Sequence, residues 1–224
     1  MNDEEFELLK QKALKDPDTT AAMLLMRPLS IRITRTLMQT SVTPNQVTLF
    51  SFVLKLMSAF LFLSAGYVPT LAAGILVYLS HVLDCVDGEI ARAKNLESSS
   101  GALLDYFLDR LADIAIYSGV TFGLFLSRND PAVLALGIFV VGSNFFMTDV
   151  GQRIDKLKRE KHIRRKPDIY KYFYYGGSAN TIVVLAASIV GRLYEGMAII
   201  GILSFSFAIT RFAEAYIALG AQQN

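Results

Sequence analysis

Four aspartates, two glycines and an arginine stand at fixed offsets in one stretch of this otherwise apolar chain: Asp84, Asp87, Gly88 and Arg92, then Gly101, Asp105 and Asp109. Asp105 and Asp109 are four apart, so a helix stacks them on one face, with Gly101 four earlier on that face too. Asp84 and Asp87 are three apart, and Gly88 is four after Asp84, which makes a second acidic face with one small position. Two helices meeting through Gly88 and Gly101 would bring the four carboxylates together. Four like charges share a low-dielectric pocket only if cations bind there or protons are taken up. Hard divalent cations such as Mg²⁺ prefer carboxylate oxygens. A pair of such ions about 4 Å apart suits phosphoryl and phosphodiester chemistry.

The elements that position these residues are helices of a membrane protein. Of 224 residues, 53% are hydrophobic and 19% charged, less charged than a soluble domain of this size. The formal net charge of +2 gives no ground for a nucleic-acid partner. A single cysteine, Cys85, excludes an intramolecular disulfide and reads as a small buried residue. No signal peptide is expected, since the first 18 residues are charged. Residues 3–15 and 23–38 read as amphipathic helices, the second suited to lie in the membrane interface. Six apolar runs follow, at 47–66, 69–83 (its helix continuing to 93), 101–127, 131–147, 178–190 and 196–219. The predicted fold is therefore all-α: an integral membrane bundle of about six transmembrane helices with an N-terminal amphipathic interfacial helix. Residues 1–40 form a juxtamembrane segment and 41–224 the transmembrane domain. Nine Lys and Arg between Gln152 and Lys171, with the basic N-terminal region, place both termini and the motif on the cytoplasmic side.

Written out, the stretch is D-x-x-D-G-x-x-A-R, then eight residues, then G-x-x-x-D-x-x-x-D. It resembles the signature of the CDP-alcohol phosphotransferase family of integral membrane enzymes, in a prokaryotic form, and every position is matched. The resemblance covers roughly residues 40–220. It implies attack of an alcohol hydroxyl on the β-phosphorus of a CDP-linked alcohol, with release of CMP. It also implies a pair of Mg²⁺ or Mn²⁺ ions held by Asp84, Asp87, Asp105 and Asp109, with Asp109 favoured as the catalytic base. Arg92 should contact the diphosphate, and Gly88 and Ala91 leave room for the nucleotide. Gly101 permits close helix packing. Asn45 and Thr48, in an N-x-x-T pattern, and Ser98 complete the expected donor site; Asn45 equally suits a helix cap. A homodimer among membrane lipids is implied as well.

The acceptor is a small polar alcohol. Some relatives that use phosphorylated alcohols carry an S-Y-x-[RK]-A pattern ending the fourth span; here Met147–Arg153 departs from it. The basic loop instead suggests a phosphate on the acceptor, gripped by Arg153 with Arg164 or Arg165. Inositol phosphate is the first candidate and glycerol phosphate the second, with CDP-diacylglycerol as donor. One alternative within the family is a CDP-inositol-dependent synthase of polar phosphodiesters. A rival of another class is a cation-coupled transporter, which would carry its carboxylates near the bilayer midplane on broken helices. Lys55 and Arg211 are costly in lipid and are expected in structural ion pairs with Glu214 or Asp113. Asp113 itself pairs with Arg110 or another base, and His81 is a hydrogen-bonded neighbour of the cluster.

Overall fold

The computed structural model describes residues 3–14, 22–160 and 175–220. Arg164 and Arg165 lie outside the described residues. Among the described residues every regular element is a helix: α1 (Asp3–Ala13), a π-helical turn (Ala22–Met26), α2 (Arg27–Leu37), α3 (Pro44–Phe62), α4 (Tyr67–Lys94), α5 (Ser99–Arg128), α6 (Pro131–Glu160), α7 (Gly177–Val190) and α8 (Leu193–Gly220). The six helices α3 to α8 occupy the positions of the six apolar runs. Four of them (α3, α4, α6 and α8) are long and apolar enough to cross a membrane. Helix α5 spans 30 residues but carries Asp105, Asp109, Arg110 and Asp113. Helix α7 has 14 residues, fewer than the roughly 20 an isolated span needs.

Local chemistry sets the boundaries. Pro44 stands at the first turn of α3, where its missing N–H costs nothing, and Gln46 reaches back to the Thr43 N–H (2.9 Å). The cap position is therefore Thr43, and Asn45 is left exposed inside the first turn. Asn95 ends α4 in the left-handed region (φ 54°), which Asn tolerates better than most residues. Ser98 then caps α5 by accepting from the Gly101 N–H (3.0 Å).

Helix α3 packs extensively against both α4 and α5 and joins them. Glycines make this possible, though not those expected. A Cβ on Gly119 would lie 2.3 Å from the Ala59 carbonyl oxygen, and one on Gly123 2.1 Å from that of Phe62. The close approach is thus between α5 and α3, about three and four turns beyond the motif. At Gly101 the missing Cβ makes room for Asn45 Oδ1 and Ser98 Oγ (3.3 and 3.0 Å), and at Gly88 for the Arg92 guanidinium (3.2 Å). The apolar core, with Phe62, Val77, Tyr117, Val140, Val184 and Ile200, fills the half of the bundle away from the motif. The motif half combines polar groups with a smaller apolar cluster of Val47, Val86 and Ile90.

The N-terminal elements pack onto α4. Leu9, Ala13 and Ile31 bury against Ala93, and Met26 against Val82. The face that α2 buries is partly polar (Ser30, Thr34), whereas Met23, Leu24 and Leu25 of the preceding turn are exposed. This apolar run, more than α2 itself, is the surface suited to lipid.

Candidate active site

Helices α3, α4 and α5 each supply part of the acidic cluster. Three donors on one face of α3 meet it. Thr48 Oγ1 donates to Asp87 Oδ2 (2.6 Å), and Ser51 Oγ donates to Asp84 Oδ1. Lys55 Nζ donates to Asp84 Oδ2 and to Asp109 Oδ1 (2.6 Å). Asp87 is 6% exposed and feels the negative charges of Asp84 and Asp105. Asp105 is close enough to Asp84 and Asp109 to be repelled by both. All four motif aspartates therefore converge, as their spacing predicts.

Their donor set fits a hard divalent cation. It offers carboxylate oxygens only, and Asp105 accepts no hydrogen bond among the described residues. No three His, Cys, Asp or Glu side chains of the described residues are already drawn in to ligating positions. Thr48, Ser51 and Lys55 hold three of the four carboxylates instead.

The other predicted donor contacts gather at the same end. Asn45, Ser98 and Gly101 adjoin one another where α3 and α5 begin. The Arg92 guanidinium lies over Gly88, with its Nε donating to the Ala13 carbonyl (2.6 Å). Ala91 is half-buried on α4 between them.

A cavity of about 350 Å³ opens beside Asp109, walled by α3 to α8 and the approach to α7. Lys55, His81, Arg110, Asn144, Gln152 and Asp155 are among its polar lining. Arg110 donates to Thr148 Oγ1 (2.9 Å) and pairs with Asp113 (3.0 Å), as expected of Asp113. Asn144 links Asp113 (3.0 Å) to Asn180 (3.1 Å). The buried Arg110 Nε has no hydrogen-bond partner among the described residues. His81 is hydrogen-bonded to Ser178 Oγ (3.1 Å) and stands 4.0 Å from Asp84.

One ion-pair expectation needs correction, and a second gains a partner. Lys55 pairs with the motif itself, not with Glu214 or Asp113, because α3 runs between the two acidic helices. Arg211 reaches Asp155 on α6 (2.6 Å), since α6 and α8 pack side by side. Arg153 is exposed, pairs with Asp149 (3.1 Å), and does not line the cavity.

Glu89 has no role in the sequence reading, yet it is the most buried charge of the motif (0% exposed). It accepts from Arg27 (2.7 Å), Ser30 (2.6 Å) and Thr34 (2.6 Å). The signal was present: residues 27, 30 and 34 share one helix face, which made that face a socket for an anion.

Converging carboxylates, a nearby arginine and an adjoining polar cavity in an apolar helix bundle meet what membrane-embedded phosphoryl transfer needs. Residues 41–219 match the family model for CDP-alcohol phosphatidyltransferase, and the chain belongs to that family. The family uses divalent metal ions, and membership sets the transporter reading aside. Among relatives, the chain is 25% identical to the archaetidylinositol phosphate synthase of Pyrococcus horikoshii over 194 residues, 82% of this chain and 89% of the relative. A shorter match, 44% over 87 residues, is to a bifunctional IPC transferase and DIPP synthase of Rubrobacter xylanophilus. It covers 39% of this chain and only 19% of that protein. The fold is shared with the crystal structure of Mycobacterium tuberculosis phosphatidylinositol phosphate synthase with CDP-DAG bound. That likeness has a TM-score of 0.68 at 19% identity, covering 84% of this chain and 94% of the other.

Proposed function

We propose that the protein transfers the phosphatidyl group of CDP-diacylglycerol to a hydroxyl of inositol phosphate, releasing CMP at the cytoplasmic face of the membrane. The observation that carries this reading is the cavity beside Asp109. Its wall of hydroxyl, amide, imidazole and guanidinium groups suits a phosphorylated polyol, and a long apolar acceptor would leave those groups unpaired. The relatives named for inositol phosphate lipids support the same acceptor.

In this reading Asn45, Thr48, Ser98 and Gly101 border the nucleotide end of the donor. Arg92 grips the diphosphate in a bidentate way, and Gly88 and Ala91 let it lie close to α4. Asp84, Asp87, Asp105 and Asp109 would hold the pair of divalent cations, which would supply neutralising charge to the diphosphate and the departing CMP. Asp109 faces the cavity and takes the proton of the acceptor hydroxyl. The acceptor oxygen bonds to the β-phosphorus, the bond from that phosphorus to the bridging oxygen breaks, and its electron pair leaves with CMP. Within the described residues the phosphate grip falls to Arg110, which lines the cavity, rather than to Arg153, which does not; Arg164 and Arg165 keep their place in the proposal as residues outside the described ones. The reading includes a homodimer with a complete site in each protomer, which the native mass in mild detergent checks.

The shorter match to the bifunctional relatives favours a second reading, in which CDP-inositol is the donor and a polar phosphodiester the product. Product analysis separates the two. Purified protein should form a phosphoinositol phospholipid from CDP-diacylglycerol and inositol phosphate, and much less product with serine, free inositol or glycerol phosphate. A water-soluble phosphodiester made only from CDP-inositol would establish the second reading.

A further inference from the structure

Thr48, Ser51 and Lys55 recur at intervals of three and four and so share one face of α3. Because α3 and α4 run in opposite directions, these donors meet the motif in reverse order, Thr48 on Asp87 and Ser51 on Asp84. The last rung carries a full positive charge. The Lys55 side chain is 9% exposed and shared between Asp84 of α4 and Asp109 of α5. A charge on a membrane-spanning helix is expensive unless it is paired and used. Here it sits among Leu54, Leu56 and Met57, any of which would be the cheaper residue. The ammonium bridges two of the carboxylates that a second divalent ion would need, and both Asp84 oxygens already accept a donor from α3.

We propose that Lys55 is a built-in cation that competes with the second divalent ion for Asp84 and Asp109. One ion binds readily toward Asp87 and Asp105, where no lysine intrudes. The second binds only as the Lys55 ammonium is displaced, and the polar cavity that Lys55 also lines receives it. The two ions therefore bind with unequal affinity. In the resting site the four carboxylates carry four negative charges, against which one ion and the lysine supply three positive ones. The inference rests on the cation reading of the four aspartates and adds to it a role for a residue outside the family motif.

Titration of the purified full-length protein with Mn²⁺, without donor or acceptor, tests it by electron paramagnetic resonance. The wild type should take up one ion first, with the spectrum of an isolated Mn²⁺, and a second at least about tenfold more weakly, since an ion pair must be broken. Lys55→Met removes the charge and keeps an unbranched side chain one atom shorter. It should bring the two affinities together and give the spin-coupled spectrum of ions about 4 Å apart at low occupancy. Lys55→Arg should keep the affinities unequal. Two ions binding equally and coupled from the outset in the wild type would overturn the inference, a result that needs no variant. So would Lys55→Met leaving the gap unchanged. Failure of every form to bind Mn²⁺ would overturn the cation reading itself, so the two failures are distinguishable.

Discussion

Replacing Glu89 by Ala removes the anion that holds the N-terminal elements on α4. Arg27, Ser30 and Thr34 all lose the carboxylate to which they donate. Breaking one side of a buried ion pair costs about 3–5 kcal/mol. Arg27 is 13% exposed and reaches water once α2 loosens, so the lower end, about 3 kcal/mol, applies. That corresponds to an undocked population about 100-fold larger. Limited trypsin digestion reads this population when opening and closing are fast relative to cleavage. Cleavage after Arg32 and Arg35 should therefore accelerate about 100-fold in Glu89→Ala, and by less in Glu89→Gln, which keeps one acceptor oxygen. Donor affinity should fall in parallel, because Arg92 is less than one turn away. An unchanged cleavage rate in Glu89→Ala would refute the socket, whatever happens to activity.

Three further outcomes follow from the packing and the site. Gly119→Ala forces α5 away from the Ala59 carbonyl, costing about 1–3 kcal/mol; the melting temperature in detergent should drop and the rate fall as the α3 donors lose register. Asp109→Asn should lower the maximal rate far more than it weakens donor binding, since a base acts in the transition state; loss of donor affinity with the rate preserved would leave Asp109 a ligand only. Deleting residues 1–14 removes the Ala13 carbonyl that orients Arg92, and should raise the donor Michaelis constant while the maximal rate survives at saturation.

The carboxylate cluster was legible because helical periodicity fixes which residues share a face, and Asp84, Asp87, Asp105 and Asp109 obey it. The six helices were legible from apolar run lengths, although α5 and α7 do not meet the criteria for a span on their own. What periodicity does not carry is the partner of a given face. Nothing local to Lys55 says that α3 packs against both motif helices, so its partners are Asp84 and Asp109 rather than Glu214 or Asp113. The partners of Glu89 lie 55 to 62 residues earlier, beyond the reach of a local pattern. Gly88 and Gly101 have the spacing for a close approach, while the backbone contact is made by Gly119 and Gly123, whose partners are carbonyls that sequence does not show. Arg153 stands at the end of a span, a criterion blind to which way the side chain points.

CMP-releasing phosphoalcohol transfer by these aspartates is read out by measuring CMP released by purified protein supplied with CDP-diacylglycerol, inositol phosphate and Mn²⁺. Release should require all three components, stop in excess chelator and be abolished by Asp87→Asn in protein that remains folded. CMP release that continues undiminished in chelator, or in Asp87→Asn, would contradict this role of the aspartates.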